Sequence, residues 1–405
     1  NLGPIHLIGA AIEVDTITAA GGPFVYLQTF GDVDDVDGNS AITAPDLVFG
    51  QAGMGNVGST NPINTTVDEI SFLSSNGSVR INETDDILLT SMRASNSIQV
   101  TAGGAITAGA SYVRTTGGLN TDDITLQGTS IEVDTITADG VGDVSLTAPA
   151  GSIDDADNNS MVTADDFAFS AVTNVGGTNP INTTVSEITS GTSTGTGNID
   201  INETDAIVVT SLSTNDGSIQ VTAGGQITAT SVQTGGGAGD SVTLHATAGD
   251  IVVGSITSAD TVNLTADAGS IVDHAEDALV DITAGGLITL TASGDIGGSA
   301  VADFLELAAD SQVDASSTVV GSIGLDGLGA LTLTDADTVW GNVLARASGA
   351  LTAVDVVTNL GPIHLIGAAI EVDTITAAGG PFVYLQTFGD VDDVDGNSAI
   401  TAPDL

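Results

Sequence analysis

Cysteine is absent from the 405 residues and so is lysine; the four cationic side chains are Arg80, Arg93, Arg114 and Arg346. Disulfide stapling is therefore excluded, although a long repetitive fold does not need it. Aromatic residues make up 3% of the chain, with Trp340 the only tryptophan. No stretch approaches the roughly 18 uninterrupted apolar residues of a membrane-spanning helix. Helix formers other than alanine are scarce, and 52 glycines penalise helices throughout, so no window carries a sustained helical stripe. Four arginines against 52 acidic residues also argue against nucleic acid or an anionic membrane as a partner.

What is present is repetition. Residues Asn1 to Leu47 recur letter for letter as Asn359 to Leu405, which reads as one 358-residue unit (1–358) followed by the first 47 residues of the next copy (359–405). The first residue is Asn1 and the last falls in mid-pattern, so we expect a slice of a longer array, with any signal peptide or anchor outside it. Within the unit a step near 119 residues returns Ile12–Ala19 at Ile131–Ala138, Asn61–Thr66 at Asn179–Thr184, Ile81–Asp85 at Ile201–Asp205 and Ser97–Gly104 at Ser218–Gly225. A divergent third block echoes Gly151–Ala156 at Gly269–His274, giving sub-repeats of about 1–119, 120–238 and 239–358.

A shorter rhythm underlies these blocks. Val242-Thr243-Leu244 is followed 20 residues later by Val262-Asn263-Leu264, and Ile124-Thr125-Leu126 by Val144-Ser145-Leu146. Apolar residues alternating with Thr, Ser or Asn have the period of a strand with one buried face. Gly, Asp, Asn and Ser separate the runs as turns. A step of about 20 residues holding two or three short strands is one coil of a parallel β-helix. The prediction is therefore an all-β, right-handed parallel β-helix (β-solenoid), continuous along the chain, with no significant helix. At about 16 to 18 coils per 358-residue unit, the advance per unit is about 75–90 Å.

The formal net charge is −48, yet the apolar share is 41% and the mean hydropathy is +0.31, which is not the signature of disorder. Spread over about 20 coils, the charge approaches one negative per 2 Å of axis, near the line density of duplex DNA. Like charges a strand spacing apart repel by several tenths to about 1 kcal/mol each. Salt screens that repulsion and divalent cations convert it into a crosslink. A saline or calcium-rich, extracellular or cell-surface setting is expected. Seven sequons, at Asn64, Asn76, Asn82, Asn158, Asn182, Asn202 and Asn263, are compatible with N-glycosylation of a secreted chain, though a sequence this rich in Asn, Ser and Thr forms many by chance.

Asn61-Pro62-Ile63-Asn64-Thr65-Thr66-Val67 after a glycine-rich turn, then Gly77-Ser78-Val79-Arg80-Ile81-Asn82-Glu83 and Ser97–Gly104, resembles the repeat region of filamentous-haemagglutinin-like surface proteins. The resemblance covers essentially the whole chain and is one of style. It implies a secreted β-helix with a surface role in adhesion or assembly. No secretion domain of that family is visible, and long identical copies of this acidity exceed what an ordinary adhesin shaft requires.

Two acidic turns are the candidate metal sites: Asp32, Asp34, Asp35 and Asp37, and their relatives Asp154, Asp155 and Asp157. Hard oxygen ligands clustered in a turn suit Ca2+. The EF-hand spacing fails at Val33, and the nonapeptide of calcium-binding β-rolls is missing. A solvated acidic turn is the competing reading. No cofactor is required and no catalytic residue is assigned, because the acids recur turn after turn instead of forming one constellation with divided pKa values. His6 (copied as His364), His245 and His274 lie far apart and read as surface or strand-face residues. Pro62 and Pro180 belong at strand starts or turns. Trp340, Phe24, Tyr26 and Phe30 are expected to fill the core or the space between sheets, and the arginines to pair with neighbouring carboxylates. The functional expectation is a self-associating structural shaft of an extracellular fibre. The alternative is a glycan- or cell-binding adhesin, with a polysaccharide-degrading enzyme a third reading.

Overall fold

The computed structural model describes residues 3–403 apart from 20, 51–52, 109–110, 276–277, 299–302, 395 and 397; the side chains of 72 and 73 are also left aside. Among the described residues the chain is a parallel β-solenoid of about 18 turns, each of about 21 residues, without helix. This is the all-β fold and the coil size that the alternation predicts. The chain divides into two compact units, Asn1–Asn202 and Glu203–Leu405.

In the first unit most coils hold three short strands, and each strand pairs with the one a full turn later. Val79–Glu83 pairs with Ile98–Ala102, which pairs with Ile124–Gln127 and then Val144–Ala148. One column of partners runs through the unit: Ile12, Val33, Val57, Val79, Ile98, Ile124, Val144, Phe167 and Ile188. None of these side chains is more than 9% exposed. Each inward position therefore meets its own kind one strand spacing above and below, which is why β-branched aliphatics fill it. Pro62 and Pro180 stand immediately before the strands Ile63–Ser74 and Ile181–Thr196, where a missing N–H costs the ladder nothing.

The second unit repeats the plan. Its column is Ile207, Ile227, Ile251, Ile271, Ile296, Ile323, Val343, Ile363 and Val383, again buried throughout. Between Ser311 and Ala377 two strands of each coil merge into one longer strand, as in Leu331–Thr338 and Ala350–Thr358, and the coil after them returns to three short strands. Just before the column runs a line of glycines where coil backbones touch. A Cβ on Gly341 or on Gly361 would lie 1.8 Å from the carbonyl oxygen of Gly321 or Gly341, so only glycine lets these turns stack. Buried Thr338 closes the same corner by donating its hydroxyl to the Gly341 carbonyl at 2.9 Å.

The duplicated sequence folds alike in both places: Ile5 pairs with Val25 as Ile363 pairs with Val383. Burial differs with the neighbours. Leu7 is 36% exposed while its copy Leu365, which has Ala345 on its other side, is fully buried. Conversely Val33 is fully buried under Val57, and its copy Val391 is 50% exposed. A coil thus buries its apolar face only when another stacks on it.

Two packing expectations are corrected. Trp340 is 58% exposed and Phe30 71%, with Phe24 and Tyr26 half-buried; among the described residues the buried aromatics are Phe49, Phe167, Phe169 and Phe304. A phenyl ring fits the inward column, as Phe167 does between Val144 and Ile188, whereas Trp340 occupies the exposed outer corner before Gly341. Of the arginines, Arg346 alone pairs with a carboxylate among the described residues, that of Asp326. Arg80 donates to the Ser59 carbonyl, Arg93 to the Thr116 hydroxyl, and Arg114 lies over the Tyr112 ring. Arg93 and Arg114 occupy paired positions in register, which sets like charges beside each other.

Candidate cation-binding turns

The first acidic turn, around Val33, spreads its four aspartates in different directions. Asp35 points in and has no exposed surface. Its Oδ1 accepts the N–H groups of Gly38 and Asn39 at 2.7 and 3.0 Å, and its Oδ2 that of Ser40 at 2.9 Å. Asp34 reaches the next coil, accepting from the Thr60 N–H and from the hydroxyls of Ser59 and Thr60 at 2.6–2.9 Å. Asp32 also serves the coil above, through the Asn56 N–H at 2.7 Å. Asp37 accepts from the Asn39 N–H at 3.1 Å. Burial works to raise the pKa of Asp34 and Asp35, but these hydrogen bonds to the charged form outweigh it and hold both below the ordinary value.

The second turn repeats the central bonds of the first. Asp155 accepts from Asn159 and Ser160, and Asp154 from the Thr178 N–H and hydroxyl. Asp157 accepts from the Asn159 amide at 2.8 Å. The residue at positive φ is Gly38 in one turn (79°) and Asn158 in the other (63°), the two residue types that tolerate it. Here Glu132, Asp155 and Asp157 come together, with one oxygen from each within 4.8 Å of the others. Glu132, pushed up by burial and by Asp154, Asp155 and Asp157, already accepts the Ala156 N–H at 2.6 Å.

A second convergence of carboxylates was not foreseen from sequence. In the second unit, Asp273, Asp281 and Glu306 also place one oxygen each within 4.8 Å of the others. Asp281 is 3% exposed and Glu306 1%. Burial, with the neighbouring acids, pushes Asp281 up to about 8 and Glu306 to about 7. The signal that could have found them is Phe304-Leu305-Glu306-Leu307, an acid inside an apolar run about one coil after Asp281.

Acidic residues also stack in register along strand faces: Glu13 on Asp34, Asp46 on Glu69, Glu132 on Asp154, Asp166 on Glu187, Asp314 on Asp335, and Glu371 on Asp392. Asp337 is pushed up to about 6 by burial and by Asp335, Asp355 and Asp314. Asp123, Asp143 and Asp166 line a cavity of about 240 Å³ in the first unit. Four of the seven sequon asparagines bond to one another between coils: Asn82 donates to Asn64 at 3.3 Å and Asn202 to Asn182 at 2.8 Å. Of the histidines, His245 sits on a strand face with Nε2 2.8 Å from Asp267, and His6 and His274 are exposed.

No protein-family model, curated protein or solved structure matches the chain.

Proposed function

We propose that this chain is part of the structural shaft of an extracellular filament, built from tandem β-solenoid repeats of the filamentous-haemagglutinin-like kind. The observation that carries the reading is the register of acid on acid from coil to coil, beside continuous buried apolar columns. The columns supply cohesion along the stack, and the acidic faces keep shafts apart until salt or divalent cations screen or bridge them. The turn aspartates facing solvent, Asp37 and Asp157, are the first candidates for such bridging, with Asp32, Asp34 and Asp154 partly committed to the coil above. Asp35 and Asp155 hold their turns together from within.

A second reading, an adhesin, is favoured by one feature. Exposed Val320, Trp340 and Leu360 follow one another at the same corner of three successive coils. An exposed indole beside aliphatics is a surface on which a sugar ring stacks. The readings separate experimentally. The shaft predicts that the purified chain self-associates on addition of Ca2+ and disperses on chelation, followed by sedimentation. Saturable binding to an immobilised glycan panel, abolished by Trp340→Ala, with a chain that stays monomeric in Ca2+, would replace the shaft with the adhesin.

A further inference from the structure

We propose that Asp273, Asp281 and Glu306 hold one divalent cation, Ca2+ by donor chemistry, inside the coil stack of the second unit. This goes beyond bridging between shafts, because the site is built within a single chain. Three observations carry it. Oxygens that all lie within 4.8 Å of one another fit around a common ion, since two ligands on opposite sides of Ca2+ at about 2.3–2.6 Å stand about 4.6–5.2 Å apart. Two of the three side chains are shut off from water, and Oε2 of Glu306 and Oδ2 of Asp273 are buried with no hydrogen-bond partner among the described residues. Such groups are rarely left unmatched in a native interior. Finally, the nearest cationic side chain in strand register, Arg346, is spent on Asp326, which stands between it and Glu306.

The surroundings suit an ion with a partial water shell. Asp273 also lines a cavity of about 300 Å³ with Asp295 and Asp303, which gives an acidic approach and room for water ligands. The trio at Glu132, Asp155 and Asp157 lacks the decisive feature, because both Asp155 oxygens and Glu132 Oε1 already accept backbone N–H groups. Without an ion, the alternative for the buried pair is a proton shared between Asp281 and Glu306.

The test is calcium binding to the full chain, stripped with chelator and titrated calorimetrically in about 0.15 M NaCl, where diffuse binding to surface acids is screened. About one ion per chain should bind above the diffuse background. The double variant Asp281→Asn/Glu306→Gln should lose at least about tenfold in affinity for it, while Glu132→Gln/Asp157→Asn keeps it. Both amide replacements keep shape and remove buried charge, so the fold without calcium should melt no lower than the parent. If the double variant nevertheless fails to fold, anomalous scattering from Mn2+ soaked into wild-type crystals decides by density at the trio. Equal calcium binding by wild type and double variant, no tight equivalent, or no anomalous density at the trio would overturn the site.

Discussion

Asp35 is cut off from water and accepts three backbone N–H groups of its own turn, and Asp155 repeats the arrangement with Asn159 and Ser160. Removing such a carboxylate leaves buried donors unmatched, so Asp35→Ala and Asp155→Ala should each lower stability by about 1–3 kcal/mol in denaturant melts. Asp37→Ala, at the exposed edge, should change it by less than about 0.5 kcal/mol. The pH dependence follows from the depressed pKa. A carboxylate whose folded value lies below the unfolded 3.8 contributes fully above that value and loses its contribution as pH falls through the folded one. Melts of the wild type between about pH 5 and pH 2 should therefore fall more steeply than those of Asp35→Asn. That these aspartates lie in turns was legible from their Gly and Asn neighbours. Which one turns inward was not, because Asp32, Asp34, Asp35 and Asp37 differ only in position, and the inward direction depends on the pleat carried over from Val33.

Strands and coils were the most legible features, because alternation of Val, Ile and Leu with Thr and Ser encodes one buried face regardless of distant contacts. Partners were less so: Asp281 and Glu306 are brought together by a coil of non-uniform length, and no local pattern specifies it. Stacking by whole coils makes deletions informative. Ile251 and Ile271 occupy the same column 20 residues apart, so excising residues 251–270 removes one turn without shifting register. The shortened chain should keep its strand circular dichroism and a cooperative melt. Excising 251–260 instead sends inward residues outward and should abolish cooperative unfolding. At the glycine line, Gly341→Ala should cost about 1–3 kcal/mol by overpacking against the Gly321 carbonyl. On the acidic face, Asp335 stacks on Asp314 and faces Asp337 and Asp355. Asp337 has a raised pKa of about 6, so its contribution is most favourable below the ordinary 3.8 and declines as pH rises toward 6. Asp335→Asn should accordingly stabilise the fold at pH 8 by a few tenths to about 1 kcal/mol, in low salt, and by little at pH 4.

Taken per turn, a net charge of −48 over about 18 turns is about 2.7 negative charges for each strand spacing of about 4.8 Å. The interior is correspondingly simple. Identical residues change from exposed to buried when a coil is laid on them, as the pairs Leu7 and Leu365, and Val391 and Val33, show. Function was not legible beyond acidity and repetition, because the proposed shaft and the adhesin reading rest on the same coils and part only at corners such as Trp340.

The most direct test is fibre diffraction or electron microscopy of filaments grown from this chain. A shaft of stacked coils predicts a layer line near 4.8 Å along the filament axis and a long repeat of about 75–90 Å for each 358-residue unit. Filaments whose strand spacing lies across the axis, or globular particles with no axial strand spacing, would contradict it.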